Sequence, residues 1–228
     1  NPWSRRQSYP KFNLAMERLN ARSLLTWVAP VTLLPVSLCH PAVGSPLSIT
    51  VHSFDYSSTH PASMAEAQRV AELIFLHAGI HVFWLNCPIA RPHSVAAPNC
   101  EPRTDAAHFV LAVLPEHMAR KVATNPTQFG LALLNREGGL PNYAYVFLQR
   151  AVDMAKSELV SWTGILGHLI AHELGHLLLG RNSHVPVGIM RAAWRSTEIK
   201  QALTGNLLFT PKQVERIRDD VQRRLQAR

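Results

Sequence analysis

From Leu47 to Phe54 apolar and polar residues alternate, the period of a half-buried strand. The spacing changes at Ser63-Met64-Ala65-Glu66, a capping box that opens a helix striped by Val70, Ile74 and His77 and stopped at Gly79. Ile80 to Leu85 and Phe109 to Leu114 are compact apolar runs, as buried strands require. Two more strands are predicted at Phe129 to Leu134 and Tyr143 to Leu148, flanking the turn-rich stretch from Arg136 to Asn142. A long apolar helix follows, from about Glu158 to Leu179. Finally, Thr210-Pro211-Lys212-Gln213 joins an N-cap, a proline at the first helical position and a Gln three residues after the cap, ahead of the stripe Val214, Ile217, Val221 and Leu225. No linker-like shift in composition divides residues 45–228, so the pattern predicts one α+β domain.

Composition supports a folded core. In 228 residues, 47% hydrophobic and 17% charged content excludes wholesale disorder, and neither a solenoid repeat nor a run of about 20 apolar residues is present. The formal charge is +8. Arg5, Arg6, Lys11, Arg18 and Arg22 against Glu17 place half of that excess in the first 44 residues, leaving +4 for the remainder. The basic residues between Lys212 and Arg228 are interleaved with Glu215, Asp219 and Asp220, which reads as a solvated helix face and not as a nucleic-acid patch.

Those first 44 residues have the layout of an export signal. Ser23 to Leu38 is uncharged, follows Arg18 and Arg22, and precedes the small-x-small Ala42-Val43-Gly44. Pro30 and Pro35 would disturb a spanning helix. Met16 stands where such a signal would start, so residues 1–44 are expected to be an upstream segment and signal peptide, and residues 45–228 a secreted or periplasmic domain without stable membrane insertion. Leu38 before Cys39 argues against lipidation. Cys87 and Cys100 then remain as an even pair in an oxidising compartment, where a disulfide would stabilise by about 3 kcal/mol in the chain-entropy model.

Candidate chemistry lies in the long helix. His172-Glu173-Leu174-Gly175-His176 is H-E-x-x-H, and positions four apart on a helix stack on one face, so both imidazoles can reach one ion. Neutral imidazoles suit Zn²⁺, and Glu173 beside them can act as a general base. A catalytic zinc takes three protein ligands, and His184 is the leading third, because Gly180 can end the helix and turn the chain back. His168 lies two turns from His176, about 12 Å along the axis, too far for both to bind one ion. Glu198 is the competitor for the third position, as in the gluzincin class, with a surface ion pair to Arg191 or Arg195 as its other reading.

His172, Glu173, His176, Gly180, His184 and the following Gly188-Ile189-Met190 together resemble the metzincin zinc peptidases, whose extended motif is H-E-x-x-H-x-x-G-x-x-H with a downstream Met-turn. The resemblance spans most of residues 47–190, strand-helix-strand order included. It implies a mixed twisted sheet with a backing helix, a long active-site helix and a small C-terminal subdomain ending in a helix. It further implies one zinc on His172, His176 and His184, Glu173 as general base toward a zinc-bound water, Met190 as the apolar floor, and a peptide or protein substrate paired along an edge strand, for which Phe129 to Leu134 fits by order. The spacing departs from the motif: Gly180 comes four residues after His176 and His184 eight, where the clan has three and six. The chain is therefore similar to a divergent, exported bacterial branch of that clan. A secreted protein holding zinc for structure alone is the alternative, and retention of Glu173 speaks against it.

Overall fold

The computed structural model describes residues 46–89, 99–100, 106–133 and 142–227, and the segment expected to be an export signal lies outside them. The strands are β1 (Ser48–Asp55), β2 (His81–Cys87), β3 (His108–Leu114), β4 (Gly130–Leu133) and β5 (Tyr143–Phe147). The helices are α1 (Pro61–His77), α2 (Glu116–Val122), α3 (Leu148–Ser157), α4 (Trp162–Leu179), α5 (Ser196–Leu203) and α6 (Pro211–Gln226). The sheet runs β2-β1-β3-β5-β4, parallel except for β4, which is antiparallel to β5 and forms an edge.

Alternation in the strands divides the two faces. Ile49 and Val51 of β1 and Phe109, Leu111 and Val113 of β3 turn into one buried cluster with Ala71 and Ile74 of α1 and Leu166 and Ile170 of α4. Ala112 and Leu114 join Ala119 of α2 and Phe147 in a smaller cluster. The C-terminal part ends in the expected helix, α6, and Ile189, Met190, Phe209, Ile217 and Val221 pack it into the main cluster. Cys87, ending β2, is disulfide-bonded to Cys100, with 5.6 Å between their Cα atoms. No helix among the described residues is long and apolar enough to cross a membrane.

Several local expectations need correction. Helix α1 starts at Pro61 with His60 as its N-cap, and the Ser63 N–H donates to the His60 carbonyl at 2.9 Å, so Ser63 lies inside the first turn and opens no capping box. Proline presets the helical φ and lacks the N–H that the first turn leaves unpaired. The strand ending at Phe147 passes directly into α3, and α2 follows β3; neither helix has a stripe long enough to stand out. The long helix begins at Trp162, because Leu159 takes a left-handed conformation (φ 56°) and Val160 N–H closes the α3 turn on Ala155 at 2.9 Å.

Helix α6 begins as predicted, with the Thr210 N–H on Gln213 Oε1 at 3.0 Å, but its basic face is not uniformly solvated. Arg224 is buried, donating to Asp220 Oδ2 (2.6 Å), the Ala106 carbonyl (2.9 Å) and the Leu177 carbonyl (3.0 Å), with its guanidinium 4.9 Å from the Phe109 ring centroid. Arg216 donates to the Leu179 carbonyl at 2.6 Å. The last carbonyls of α4 lack helical partners and carry the negative end of its dipole, and two arginines of α6 meet them. That contact anchors the end of α4 from which the chain turns back.

Candidate metal centre

Helix α4 places His172 and His176 one turn apart, and Gly180 ends it at φ 75°. Asn182, also left-handed at φ 57°, completes the reversal that carries His184 beneath the same helix end. One ligand atom each from His172, His176 and His184 lies within 4.8 Å of the others. The longer spacing from His176 to His184 is thus absorbed in the turn from Gly180 to Ser183.

Hydrogen bonds orient two of the three rings. His172 Nδ1 donates to the Ile189 carbonyl at 2.7 Å, and because a carbonyl only accepts, Nε2 keeps its lone pair. His176 Nδ1 pairs with Ser183 Oγ at 2.7 Å; a hydroxyl can accept, which frees Nε2 of His176 in the same way. The two Nε2 atoms are 3.1 Å apart. Two lone pairs converging at this distance, with a third imidazole beside them, form a donor set suited to Zn²⁺. Burial pushes His172 down to about 4 and His176 to about 3, with the neighbouring imidazoles adding to the shift, and burial lowers His184 too. All three are therefore neutral imidazoles at neutral pH, as metal ligation requires.

Glu173 is buried on the same helix, and desolvation pushes it up to about 8 against the opposing pull of a hydrogen bond from the Ala132 backbone. It faces β4 across Gly130, where an added Cβ would lie 2.5 Å from Glu173 Cγ. A groove of about 420 Å³ runs between β4 and α4, lined by Phe129 to Ala132, the three histidines, Glu173, Arg191 and Trp194. Met190 is buried, with Sδ 2.8 Å from where a Cβ on Gly175 would sit, against the turn of α4 between His172 and His176.

The remaining candidates fall outside the cluster. His168 is buried one turn before His172 and two before His176, its Nδ1 on the Gly164 carbonyl at 2.8 Å and its ring edge-on to Trp194. Glu198 is not a surface carboxylate: it is 4% exposed, accepts the Arg195 N–H at 2.8 Å and pairs with Arg191 at 3.3 Å. One of its oxygens closes the first turn of α5 and the other holds the Arg191 guanidinium, so both are engaged apart from the histidines. Leu134, the last residue of the predicted substrate strand, lies outside the described residues.

Sequence reasoning missed Ser183, Gly130 and the Ile189 carbonyl, which orient or make room for the site residues. A glycine within a strand pattern marks close approach of another group, and Gly130 carried that signal. The partners of His176 and His172 had none, because hydroxyls and carbonyls are everywhere in a sequence.

No family model matches the chain, and no curated protein does. Among solved structures it is similar to an archaemetzincin from Methanopyrus kandleri, with 14% identity and a TM-score of 0.47 over 79% of this chain and 99% of that one. It is also similar to a zinc-dependent peptidase from Methanocorpusculum labreanum strain Z, with 16% identity and a TM-score of 0.45 over 73% of this chain and 99% of that one. Similarities of this size do not carry chemistry from one protein to another, so the chemistry of the centre rests on its own geometry.

Proposed function

We propose that the chain is an exported, zinc-dependent endopeptidase. The observation that carries this reading is the convergence of three neutral imidazoles beside a buried carboxylate, in a groove walled by an edge strand. His172, His176 and His184 would hold the ion, which when bound supplies Lewis acidity toward water and toward a peptide carbonyl.

Glu173 is the proton carrier. Held by the Ala132 backbone and kept from bulk water, which raises its proton affinity, its carboxylate is placed to take a proton and pass it to a leaving amine. Among the described residues the strand β4 is paired only to β5, so its other edge can accept an extended peptide as an added strand, with the backbone held next to Glu173. A purely structural zinc site needs the ligands but not a buried acid, whose desolvation is unfavourable. Glu198 is engaged with Arg191 and Arg195, which favours the three-histidine set over a gluzincin one. Export rests on the signal-like segment before residue 45 and on a Cys87–Cys100 bond suited to an oxidising compartment.

Metal analysis of the purified chain, with cleavage of an unstructured protein by wild type and by Glu173→Ala, tests the reading. One zinc per chain is expected in both, with cleavage at least about 100-fold slower in the variant. Zinc without cleavage by wild type would point to the structural role, and equal cleavage by both proteins would remove Glu173 as the base.

A further inference from the structure

Past His184 the groove adjoins a second depression, walled by Pro186, Ala193 and Arg195 and sharing Arg191 and Ala192 with the first. The guanidinium of Arg191 is fixed on three acceptors. Its Nε donates to the Ala193 carbonyl at 3.0 Å, and its Nη1 to the Pro186 carbonyl at 2.9 Å and to Glu198 Oε1 at 3.3 Å. Nη2 makes no hydrogen bond among the described residues, and the side chain is 25% exposed. Glu198 is itself held by the Arg195 N–H, so the pair is fixed in place. A guanidinium immobilised in this way loses little side-chain freedom when it binds an anion.

The surrounding charge has one sign. Arg195 is exposed, lines the second depression and makes no ion pair among the described residues. Among the described residues lining both depressions the only carboxyl group is Glu173, which sits against β4. Glu198 cancels part of the charge of Arg191, but Arg195 has no such counter-charge, so the wall beyond His184 is electropositive.

We propose that this wall selects peptide substrates carrying a carboxylate on that side of the scissile bond, bound through Arg191 Nη2 and attracted by Arg195; the inference rests on the peptidase reading above. An acidic side chain and a C-terminal carboxylate present the same chemistry, and the experiment separates them. Arg191 is a specificity determinant here. Its pairing with Glu198 gives the proposal a signature that a merely structural arginine lacks, because neutralising Glu198 in a side chain of the same shape, which can still accept one of its two hydrogen bonds, strengthens the attraction for an anion.

The test uses three otherwise identical peptides: neutral with an amidated C-terminus, neutral with a free C-terminal carboxylate, and amidated with Asp scanned across the positions flanking the scissile bond. Their kcat/KM is measured with the full wild-type chain, Glu198→Gln, Arg195→Gln and the double variant Arg191→Gln/Glu198→Gln, which leaves no buried charge unpaired. In parallel, fluorescein-labelled versions are titrated into Glu173→Gln at low and high salt, following anisotropy. One acidic arm should exceed the neutral peptide about tenfold in both measurements, and which arm does so names the source of the carboxylate. The ratio should rise in Glu198→Gln, fall in Arg195→Gln, drop to within about twofold in the double variant, and shrink in high salt.

Equal ratios in wild type, a preference that survives the double variant, or no binding of any peptide would overturn the proposal. Charge-selective binding without cleavage would instead fail the peptidase reading and leave the carboxylate site standing. Cleavage without charge selectivity would do the reverse.

Discussion

A Cβ on residue 130 would lie 2.5 Å from Cγ of Glu173 and 2.6 Å from its Cδ and Oε1, so the bare backbone of Gly130 and the carboxylate of Glu173 occupy adjoining space. The two are 43 residues apart in sequence and belong to different elements. Gly130→Ala should push the carboxylate out of position while leaving the histidines where they are. The expected outcome is a fall in kcat/KM of about 100-fold, since small misplacements of a reacting group have that scale, with zinc affinity held within a few-fold. Steady-state kinetics beside a competitive metal titration checks this, and loss of zinc in step with activity would contradict it.

Removing His184 and removing Glu198 should have opposite consequences. His184→Ala deletes one of three converging donors and should weaken zinc binding sharply in a chain that stays folded, because His184 is exposed. Glu198→Ala strips the ion-pair partner of Arg191 and the acceptor at the start of α5, and should cost about 2 kcal/mol of stability with zinc affinity of the folded chain retained. Chemical denaturation and metal titration of both variants decide it.

Ser183→Ala tests the orientation of His176. The hydroxyl is 2.7 Å from His176 Nδ1 and is buried. Its loss leaves the ring without the bond that fixes its rotation, and zinc affinity should fall by about 10- to 100-fold. Ser183→Thr, which keeps the hydroxyl, should recover most of the loss.

The metal-free chain should be most stable near neutral pH, with lowered His168 and His184 acting in the same direction as His172 and His176. His172 and His176, at about 4 and 3 when folded against an ordinary 6.5, refuse protons that the unfolded chain accepts, so they lower stability as pH falls through that window. Glu173, at about 8 against an ordinary 4.5, holds a proton when folded that the unfolded chain releases, so its contribution declines as pH rises from about 4.5 to 8. Below 6.5 two histidines outweigh one carboxylate, and above it Glu173 acts without them. Urea denaturation in chelator across pH 4 to 9 should show the maximum, and Glu173→Gln should flatten the alkaline side and steepen the acid side, where the histidines then act unopposed.

Export predicts that the mature protein starts near residue 45. Intact mass of material recovered outside the cytoplasm should lack the segment containing Trp27, and a mass that includes it would refute cleavage.

Local pattern determined much of this protein. The four-residue step from His172 to His176 places two imidazoles on one helix face wherever that helix packs, and Gly180 marks the helix end, because both follow from helix geometry and backbone sterics. The start of α6 at Thr210-Pro211 and the five strand segments were legible for the same reason: capping and alternation concern neighbours in sequence.

Short helices α2 and α3 were not legible, since two or three turns carry too little periodicity to compete with the strands beside them, nor was the break at Leu159, where a non-glycine residue adopts a left-handed turn. The edge position of the strand near Phe129 was expected from the family resemblance, whereas the full sheet order, the meeting of Gly130 with Glu173 and the burial of Glu198 with Arg191 and of Arg224 with Asp220 were decided by tertiary structure alone. The first three of the latter join groups whose separation along the chain sets no distance between them; Asp220 and Arg224 lie one helical turn apart by sequence, and only the fold buries them, because a charged side chain reads as solvent-facing until the unpaired carbonyls of a helix end meet it.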